Sequence, residues 1–257
     1  MTVRPKKRLG QHFLVDENIL GVVDRLAELA PDDVVLEVGP GLGILTRYLA
    51  DRVRLVHAIE LDRSLEAPLA AGLAGRDNVL LTFGDAVTLD LADLEPPPGK
   101  LVANLPYNIA TPLVLESFAR VRSIERWCVM VQREIADRFF AAPRTKAYGA
   151  VSVLVQLQAR KAGFHPVSPS VFRPRPRVES ALVAFVRTAE PPSDEVRSVV
   201  EAAFAHRRKT LANSIALAGR VPRDRVESEL VSIGKPSGAR AEELAPEEFV
   251  SIAQALR

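Results

Sequence analysis

Val34-Val35-Leu36-Glu37-Val38 is a β-branched run that stops at Gly39-Pro40-Gly41-Leu42-Gly43 and gives way to a helical stretch from Ile44 to Ala50. Strand, glycine-rich turn and helix in that order open a doubly wound sheet, and the glycines let a ligand come close to the backbone. This passage restricts the chain more than any total does, because it calls for a parallel sheet with further strand and helix units behind it. They follow. Arg54 to Ile59 reads as a second strand ending at Glu60, and Val79 to Phe83 as a third ending at Gly84-Asp85-Ala86. A fourth strand, Leu101 to Ala103, ends at Asn104-Leu105-Pro106-Tyr107, with helix Thr111 to Ala119, strand Arg126 to Gln132 and helix Arg133 to Ala141 after it.

The spacing narrows the ligand. A dinucleotide fingerprint needs a glycine in the sixth place, but that place holds Ile44 counted from Gly39 and Thr46 counted from Gly41. No Gly-Lys-Ser/Thr occurs, so a phosphate-cradling P-loop is excluded as well. An acid at the end of the second strand, Glu60, suits both hydroxyls of a ribose, and Asp85 at the end of the third suits the exocyclic amine of adenine. What remains is a cofactor with a ribose and an adenine and no pyrophosphate. Taken alone, Asp85 reads equally as a turn residue, and Asn104 to Tyr107 as a proline turn with a half-buried tyrosine. Successive strand ends that deliver Gly39, Glu60, Asp85 and Asn104 to one crevice favour a site, since open α/β sheets bind ligands there.

Asn104 to Tyr107 has its own chemistry. The asparagine side-chain oxygen and the Leu105 carbonyl are two acceptors, and the Pro106 ring fixes the backbone angle between them and Tyr107. A planar amine can give one hydrogen to each acceptor while Tyr107 stacks on the ring that bears it.

Before the first strand, Asp16 is expected to cap a helix with Ile19, Val22, Leu26 and Leu29 on one face. Beyond Ala141, Lys146 to Gly149 reads as a polar loop, and Val151 to Gln158 and Ala181 to Val186 as two antiparallel strands, since no crossover helix separates them. The loop Phe172-Arg173-Pro174-Arg175-Pro176-Arg177-Val178-Glu179-Ser180 joins them; its alternate prolines stiffen it, its arginines would face a nucleic-acid backbone and Phe172 a base. Thr188 to Ser193 is a linker, and the chain after it carries helical periodicity alone: Asp194 to Ala205, His206 to Ala218, Arg223 to Ile233 and Pro246 to Leu256. The expected domains are therefore 1–188 and 194–257. His206-Arg207-Arg208-Lys209 would sit at a helix start, where cations oppose the dipole, so phosphate contact is the better reason for it.

A formal charge of +2 gives no case for nucleic acid by itself. Its distribution does: Arg4, Lys6, Lys7 and Arg8 crowd the start, and residues 160–187 hold six Lys or Arg against Glu179. The four histidines, His12, His57, His165 and His206, are too scattered for metal ligation, and no metal is expected. Cys128, the one cysteine, lies in an apolar run and is expected to be buried and inert. With no apolar stretch that would span a bilayer and no apolar core behind the basic start, a cytoplasmic protein is expected, and nothing points to a large exposed apolar face, so a monomer.

Together, Gly39-Pro40-Gly41-Leu42-Gly43, Glu60, Asp85, Asn104-Leu105-Pro106-Tyr107 and the loop from Phe172 to Ser180 closely resemble the ribosomal RNA adenine dimethyltransferase family. The similarity runs from Lys7-Arg8-Leu9-Gly10-Gln11 to Arg207-Arg208-Lys209-Thr210-Leu211. It implies an α/β fold, the Rossmann-like seven-stranded sheet of S-adenosylmethionine-dependent methyltransferases, with a small C-terminal all-α domain. It implies S-adenosylmethionine as methyl donor, contacted by His12, Leu14, Gly39, Gly41, Glu60, Asp85 and Asn104. Asn104, Leu105, Pro106 and Tyr107 would hold the target adenine, and Tyr107, Phe172, Arg173, Arg175, Arg207, Arg208 and Lys209 the RNA. The look is that of the small-subunit branch, which dimethylates two adjacent adenosines in the 3′-terminal hairpin during ribosome biogenesis, so small-subunit RNA in a partly assembled subunit is the expected partner. One departure is His12, where the family more often has asparagine. Three rival readings share the chemistry or the fold: a macrolide-resistance methylase of large-subunit RNA, a non-catalytic nucleic-acid-binding factor, and a DNA adenine methyltransferase, whose motif more often has a second proline where Leu105 stands.

Overall fold

The computed structural model describes residues 5–6, 9–219 and 221–256; Arg4, Lys7 and Arg8 of the basic start lie outside the described residues. In chain order the elements are β1 (Phe13–Leu14), α1 (Leu20–Ala27), β2 (Val34–Val38), α2 (Ile44–Ala50), β3 (Leu55–Glu60), α3 (Glu66–Gly72), β4 (Val79–Phe83) and β5 (Lys100–Asn104). Next come α4 (Ala110–Arg120), β6 (Arg126–Gln132), α5 (Arg133–Phe139), α6 (Ala150–Gln156), β7 (Ala159–Val167), β8 (Phe172–Arg173) and β9 (Ser180–Arg187). Four helices close the chain: α7 (Asp194–Phe204), α8 (Leu211–Leu217), α9 (Arg223–Ser232) and α10 (Pro246–Ala255). The chain divides into two compact units, one of residues up to Ala136 with Arg160–Arg187, the other of Asp137–Ala159 with the chain from Thr188 onward.

The first unit is built on a seven-stranded sheet in the order β4-β3-β2-β5-β6-β9-β7. β4 through β6 are parallel, and β9 runs antiparallel to β6. From β2 the chain steps outward to β3 and β4, then returns to lay β5 on the other side of β2. Strand order therefore reverses between β2 and β5, and at such a switch point the turns at the carboxyl ends diverge and leave a crevice. β2 is buried along its whole length, as a strand covered on both faces must be.

Each face has its own core. On one, α1 and α2 cover the strands through Leu20, Val23, Leu45 and Leu49, packed with Val35, Val56, Val102 and Cys128. The α1 stripe is centred on Leu20, Val23 and Ala27, with Val22, Leu26 and Leu29 only part-buried at its margin; Ile19, in the 3-10 turn Glu17–Ile19 that Asp16 caps, is buried in the same core. Cys128 is fully buried and its thiol is pushed up to about 12 by loss of solvation. Elsewhere in the unit the Trp127 ring stacks on Phe185 at 5.4 Å and lies 4.1 Å from Phe118, while its Nε1 donates to Ser117 Oγ at 2.8 Å.

In the second unit, α6 to α10 pack around Tyr148, Phe204 and Phe249. Val151 to Gln158, expected as a strand, is helix α6 instead, and the outer strand of the sheet is β7, beginning at Ala159. Ser152 to Val155 are buried without alternation, and an apolar run of that length cannot announce its period; packing on α7 and α10 decides it over β-branched propensity. The expected boundary near 188 marks where the chain enters this unit for the second time; it first enters at Asp137, inside α5, where no linker composition announces it. Nor is Lys146 to Gly149 simply polar: Tyr148 is fully buried and its hydroxyl donates to Leu244 O at 2.7 Å.

Replacing Trp127 by alanine removes the largest fully buried side chain among the described residues and the bond that Ser117 Oγ accepts from it, leaving Ser117 only its donation to Val114 O, and is expected to cost about 4 kcal/mol. Urea unfolding followed by circular dichroism checks it; Trp127→Phe, which keeps ring packing, is expected to lose less than half as much.

Candidate functional site

The turn after β2 depends on glycine. Gly39, Gly41 and Gly43 all have positive φ, at 77°, 60° and 75°, the left-handed region that other residues enter only with strain. At Gly39 space is also short: a Cβ there would lie 3.3 Å from Pro106 Cδ, so the β2 turn and the β5 turn meet at this point.

Glu60, at the end of β3, holds the turn from the other side. One oxygen, Oε2, accepts from Gly41 N at 3.1 Å and the other, Oε1, from Asp62 N at 2.8 Å. Burial raises its pKa, and the two backbone donors oppose that. Asp85, at the end of β4, accepts from Val87 N through Oδ1 at 2.9 Å, which leaves Oδ2 for a ligand amine.

Asn104 ends β5. Its amide nitrogen donates to the His12 carbonyl at 3.2 Å, so Oδ1 is the atom left to accept from a ligand. Leu105 is buried and its N–H is tied to Met130 O on β6 at 3.0 Å, which anchors the residue carrying the second acceptor. The Tyr107 hydroxyl and Ser180 Oγ are 2.7 Å apart, and the His12 ring stacks against the phenol ring at a centroid distance of 5.5 Å. Burial raises the Tyr107 pKa, with the Ser180 contact opposing.

A strap from Leu9 to Leu14 forms the remaining wall of the cleft. At one end Gln11 Nε2 and Lys6 Nζ both donate to the buried Asp62, at 2.9 and 2.6 Å. Although burial alone would raise it, Lys6, Ser64 and Gln11 together hold the Asp62 carboxyl well below the usual range. At the other end Phe13 and Leu14 pair antiparallel with Arg173 and Phe172.

His12, Leu14, Gly39, Gly41, Glu60, Asp85, Asn104, Leu105, Pro106 and Tyr107 thus all line one cleft. Residues 3–257 match the family described as ribosomal RNA adenine dimethylase. The chain belongs to that family. A protein named ribosomal RNA small subunit methyltransferase A, from Rubrobacter xylanophilus, is 49% identical, with 98% of this chain and 95% of the relative covered. Among solved structures, the 23S rRNA methyltransferase ErmE is 32% identical with a TM-score of 0.68, covering 95% of this chain and 99% of its own. A dimethyladenosine transferase from Plasmodium falciparum superposes with a TM-score of 0.79 over 94% of this chain and 96% of its own, and at 23% identity it speaks for the fold alone.

Two expectations are corrected. Phe172 does not face a substrate base: it is fully buried among Leu14, Val171 and Leu182, because β8 pairing turns its side chain into the core. The basic cluster is not at a helix start, since α8 begins at Leu211 with Thr210 as its cap, and His206 to Lys209 form the turn after α7. Cations there complement the α7 dipole. Arg207, moreover, donates to Lys146 O and Tyr148 O, both at 3.2 Å, which is a structural reason for it. Arg173, Arg175, Arg208 and Lys209 are exposed.

A dimethylase of this build holds one group that the motif reading passed over. Glu37 is 1% exposed, lines the cleft, and its Oε2 is buried without a partner. Burial pushes its carboxyl up to about 8; the Thr46 hydroxyl beside it pulls the other way, and the nearby Glu60 carboxylate adds to the rise. An acid inside an otherwise apolar strand was its signal in the sequence. Ser180 gave none.

Because the folded pKa of Glu37 is raised, its contribution favours the fold at low pH and is lost as pH climbs to about 8. Stability of the ligand-free protein is expected to fall across that window, by at most about 5 kcal/mol, and Glu37→Gln to flatten the profile. Denaturant midpoints at pH 5, 6, 7 and 8 measure it, between the ordinary carboxyl value of 4.5 and the raised one, and pH 9 should add no further loss.

Proposed function

We propose that this chain is the small-subunit rRNA adenine N6,N6-dimethyltransferase, which converts two adjacent adenosines of the 3′-terminal hairpin to dimethyladenosine during ribosome biogenesis. The observation that carries it is the meeting of the β2 and β5 turns, which sets a nucleoside cleft against two acceptors and an aromatic ring. The residues fit S-adenosylmethionine: Glu60 and Asp85 offer acceptors for a ribose and an adenine amine, and the orphaned Glu37 oxygen suits a cationic group. Bound S-adenosylmethionine supplies an electrophilic methyl on its sulfonium.

The chain supplies position and electrostatics. N6 of adenine is a weak nucleophile because its lone pair is delocalised into the ring. Asn104 Oδ1 and the Leu105 carbonyl accept its two hydrogens, which draws the nitrogen toward tetrahedral geometry and frees the pair for in-line attack. The same acceptors stabilise positive charge as it develops on nitrogen, and most of the rate comes from holding the reactants in line. The adenosine leaves its stack and lies on Tyr107, whose hydroxyl is steadied by Ser180. As the N–C bond forms the methyl–sulfur bond breaks, and the methylated nitrogen then sheds one proton to solvent; one N–H remains to be held for the second transfer, and the pocket takes the methyl beside it.

The exposed Arg173 and Arg175 in the first unit and Arg208 and Lys209 in the second serve as phosphate contacts. On the same reading the enzyme works in the cytoplasm as a monomer, on a partly assembled subunit. Likeness to ErmE favours a second substrate, large-subunit RNA; the higher identity to small-subunit relatives outweighs it. Incubation with labelled S-adenosylmethionine and either under-methylated small subunits or naked large-subunit RNA, followed by mass spectrometry, separates the two. Paired dimethyladenosines in the small-subunit hairpin are expected; label confined to large-subunit RNA, or no label despite binding, would overturn the reading.

Asn104→Ala is expected to lower methyl transfer at least a hundredfold while RNA affinity in filter binding stays within about twofold, the loss of one fixed acceptor being worth 10²–10³ in rate. Arg208→Ala with Lys209→Ala is expected to weaken RNA binding at every salt concentration and to reduce the slope of log affinity against log salt by roughly 2.

A further inference from the structure

His12 touches three parts of the site at once. Its carbonyl accepts from Asn104 Nδ2 at 3.2 Å, its ring stacks on Tyr107 at 5.5 Å, and its Nδ1 lies 2.7 Å from the Pro174 carbonyl. A carbonyl only accepts, so Nδ1 carries the hydrogen and donates. Pro174 lies between the exposed Arg173 and Arg175, in the loop that leads out of β8. The imidazole therefore ties a wall of the cofactor cleft to the segment that carries the arginines.

The surrounding contacts make this bond consequential. The strap and β8 are joined by a ladder of two residues on each strand and by Val15 N donating to Val171 O at 2.9 Å. So short a ladder is marginal alone, and an added bond beyond its end changes how often it is made. The far end of the loop is secured separately, by Arg133 N donating to Glu179 O at 2.9 Å and by the Tyr107–Ser180 contact. A ligand that orders the strap is then repaid where the loop leaves β8, and a ligand that grips the arginines is repaid in the cleft.

We infer that His12 is a positioning residue that couples occupancy of the cofactor cleft to RNA docking, through its Nδ1 hydrogen bond to Pro174. The inference rests on the dimethyltransferase reading. Coupling of this kind is reciprocal: whatever factor the RNA adds to cofactor affinity, the cofactor adds to RNA affinity. The side chain required is one with a donor at the δ position. Asparagine has one in Nδ2 and would keep the bond while losing the stack on Tyr107; phenylalanine would keep the stack and lose the bond.

The test uses the full chain and tritiated S-adenosylhomocysteine in equilibrium dialysis, with and without saturating small ribosomal subunits that lack the dimethyl groups. The quantity read is the ratio of the two affinities, so any change that a substitution makes to binding in the absence of RNA cancels. In the wild type the subunits are expected to tighten binding about tenfold, within the range usual for coupled sites. His12→Asn is expected to keep that ratio within about twofold, and His12→Phe to bring it to about 1. A merely structural role for the ring would shift both affinities and leave the ratio alone. Retention of the tenfold ratio by His12→Phe, its loss in His12→Asn, or a wild-type ratio of 1 would overturn the coupling while leaving the dimethyltransferase reading intact. Failure of the wild type to bind S-adenosylhomocysteine at all would overturn both.

Discussion

Gly39 has no side chain, and a Cβ there would stand 3.3 Å from the Pro106 ring, a tighter contact than most side chains make. On this approach the site depends, because it brings the turn after β2 and the turn after β5 together at the point where the sheet reverses its order. On the proposed reading, a cofactor held by the first turn and an amine held by the second would thereby be neighbours. The glycine serves two ends, allowing a backbone conformation that L side chains rarely adopt and leaving room for a proline ring. Glu60 then pins the same turn to β3, and Asn104, fixed through the His12 carbonyl, is left with one orientation for its remaining acceptor.

Much of this could be read in the chain because strand ends in a parallel sheet carry punctuation. Gly39, Glu60, Asp85 and Asn104 each interrupt an apolar run, and βα alternation sends every such interruption to the same edge. Spacing of glycines was enough to set aside a dinucleotide. What the pattern could not carry were properties that depend on neighbours distant in sequence. Residues 152–155 are buried without a break, so their periodicity is silent, and packing of α6 on α7 and α10 decides for a helix. Phe172, placed among arginines and prolines, looks like an exposed aromatic, yet one antiparallel step against Leu14 turns it into the core. The basic turn lies after α7 and not at the start of α8, and at a helix end an offset of a few residues reverses the sign of the dipole that a cation meets.

Glu37 shows a different limit. Its identity was visible, but its significance lies in complete burial beside a second carboxyl, and composition contains neither. A fold would discard such a group for its own stability, since a packed apolar residue in its place would not incur the cost of burying a carboxyl. Retained in a cleft that suits a cation, it is what a binding protein keeps at the expense of robustness. Asp62 is the contrasting case, a buried acid fully supplied with donors that serves to fasten the strap.

The lone thiol has a practical consequence. Cys128 lies in the middle of the sheet, fully buried, and stays protonated at any ordinary pH. Only a thiolate attacks maleimides and iodoacetamides, so the native chain is close to silent toward alkylating dyes. Any cysteine introduced at the surface would be the reactive one, without prior removal of the natural residue. Fluorophores at the tip of the arginine loop and on the strap would then report on their separation in solution, in a protein that needs no other alteration to be labelled.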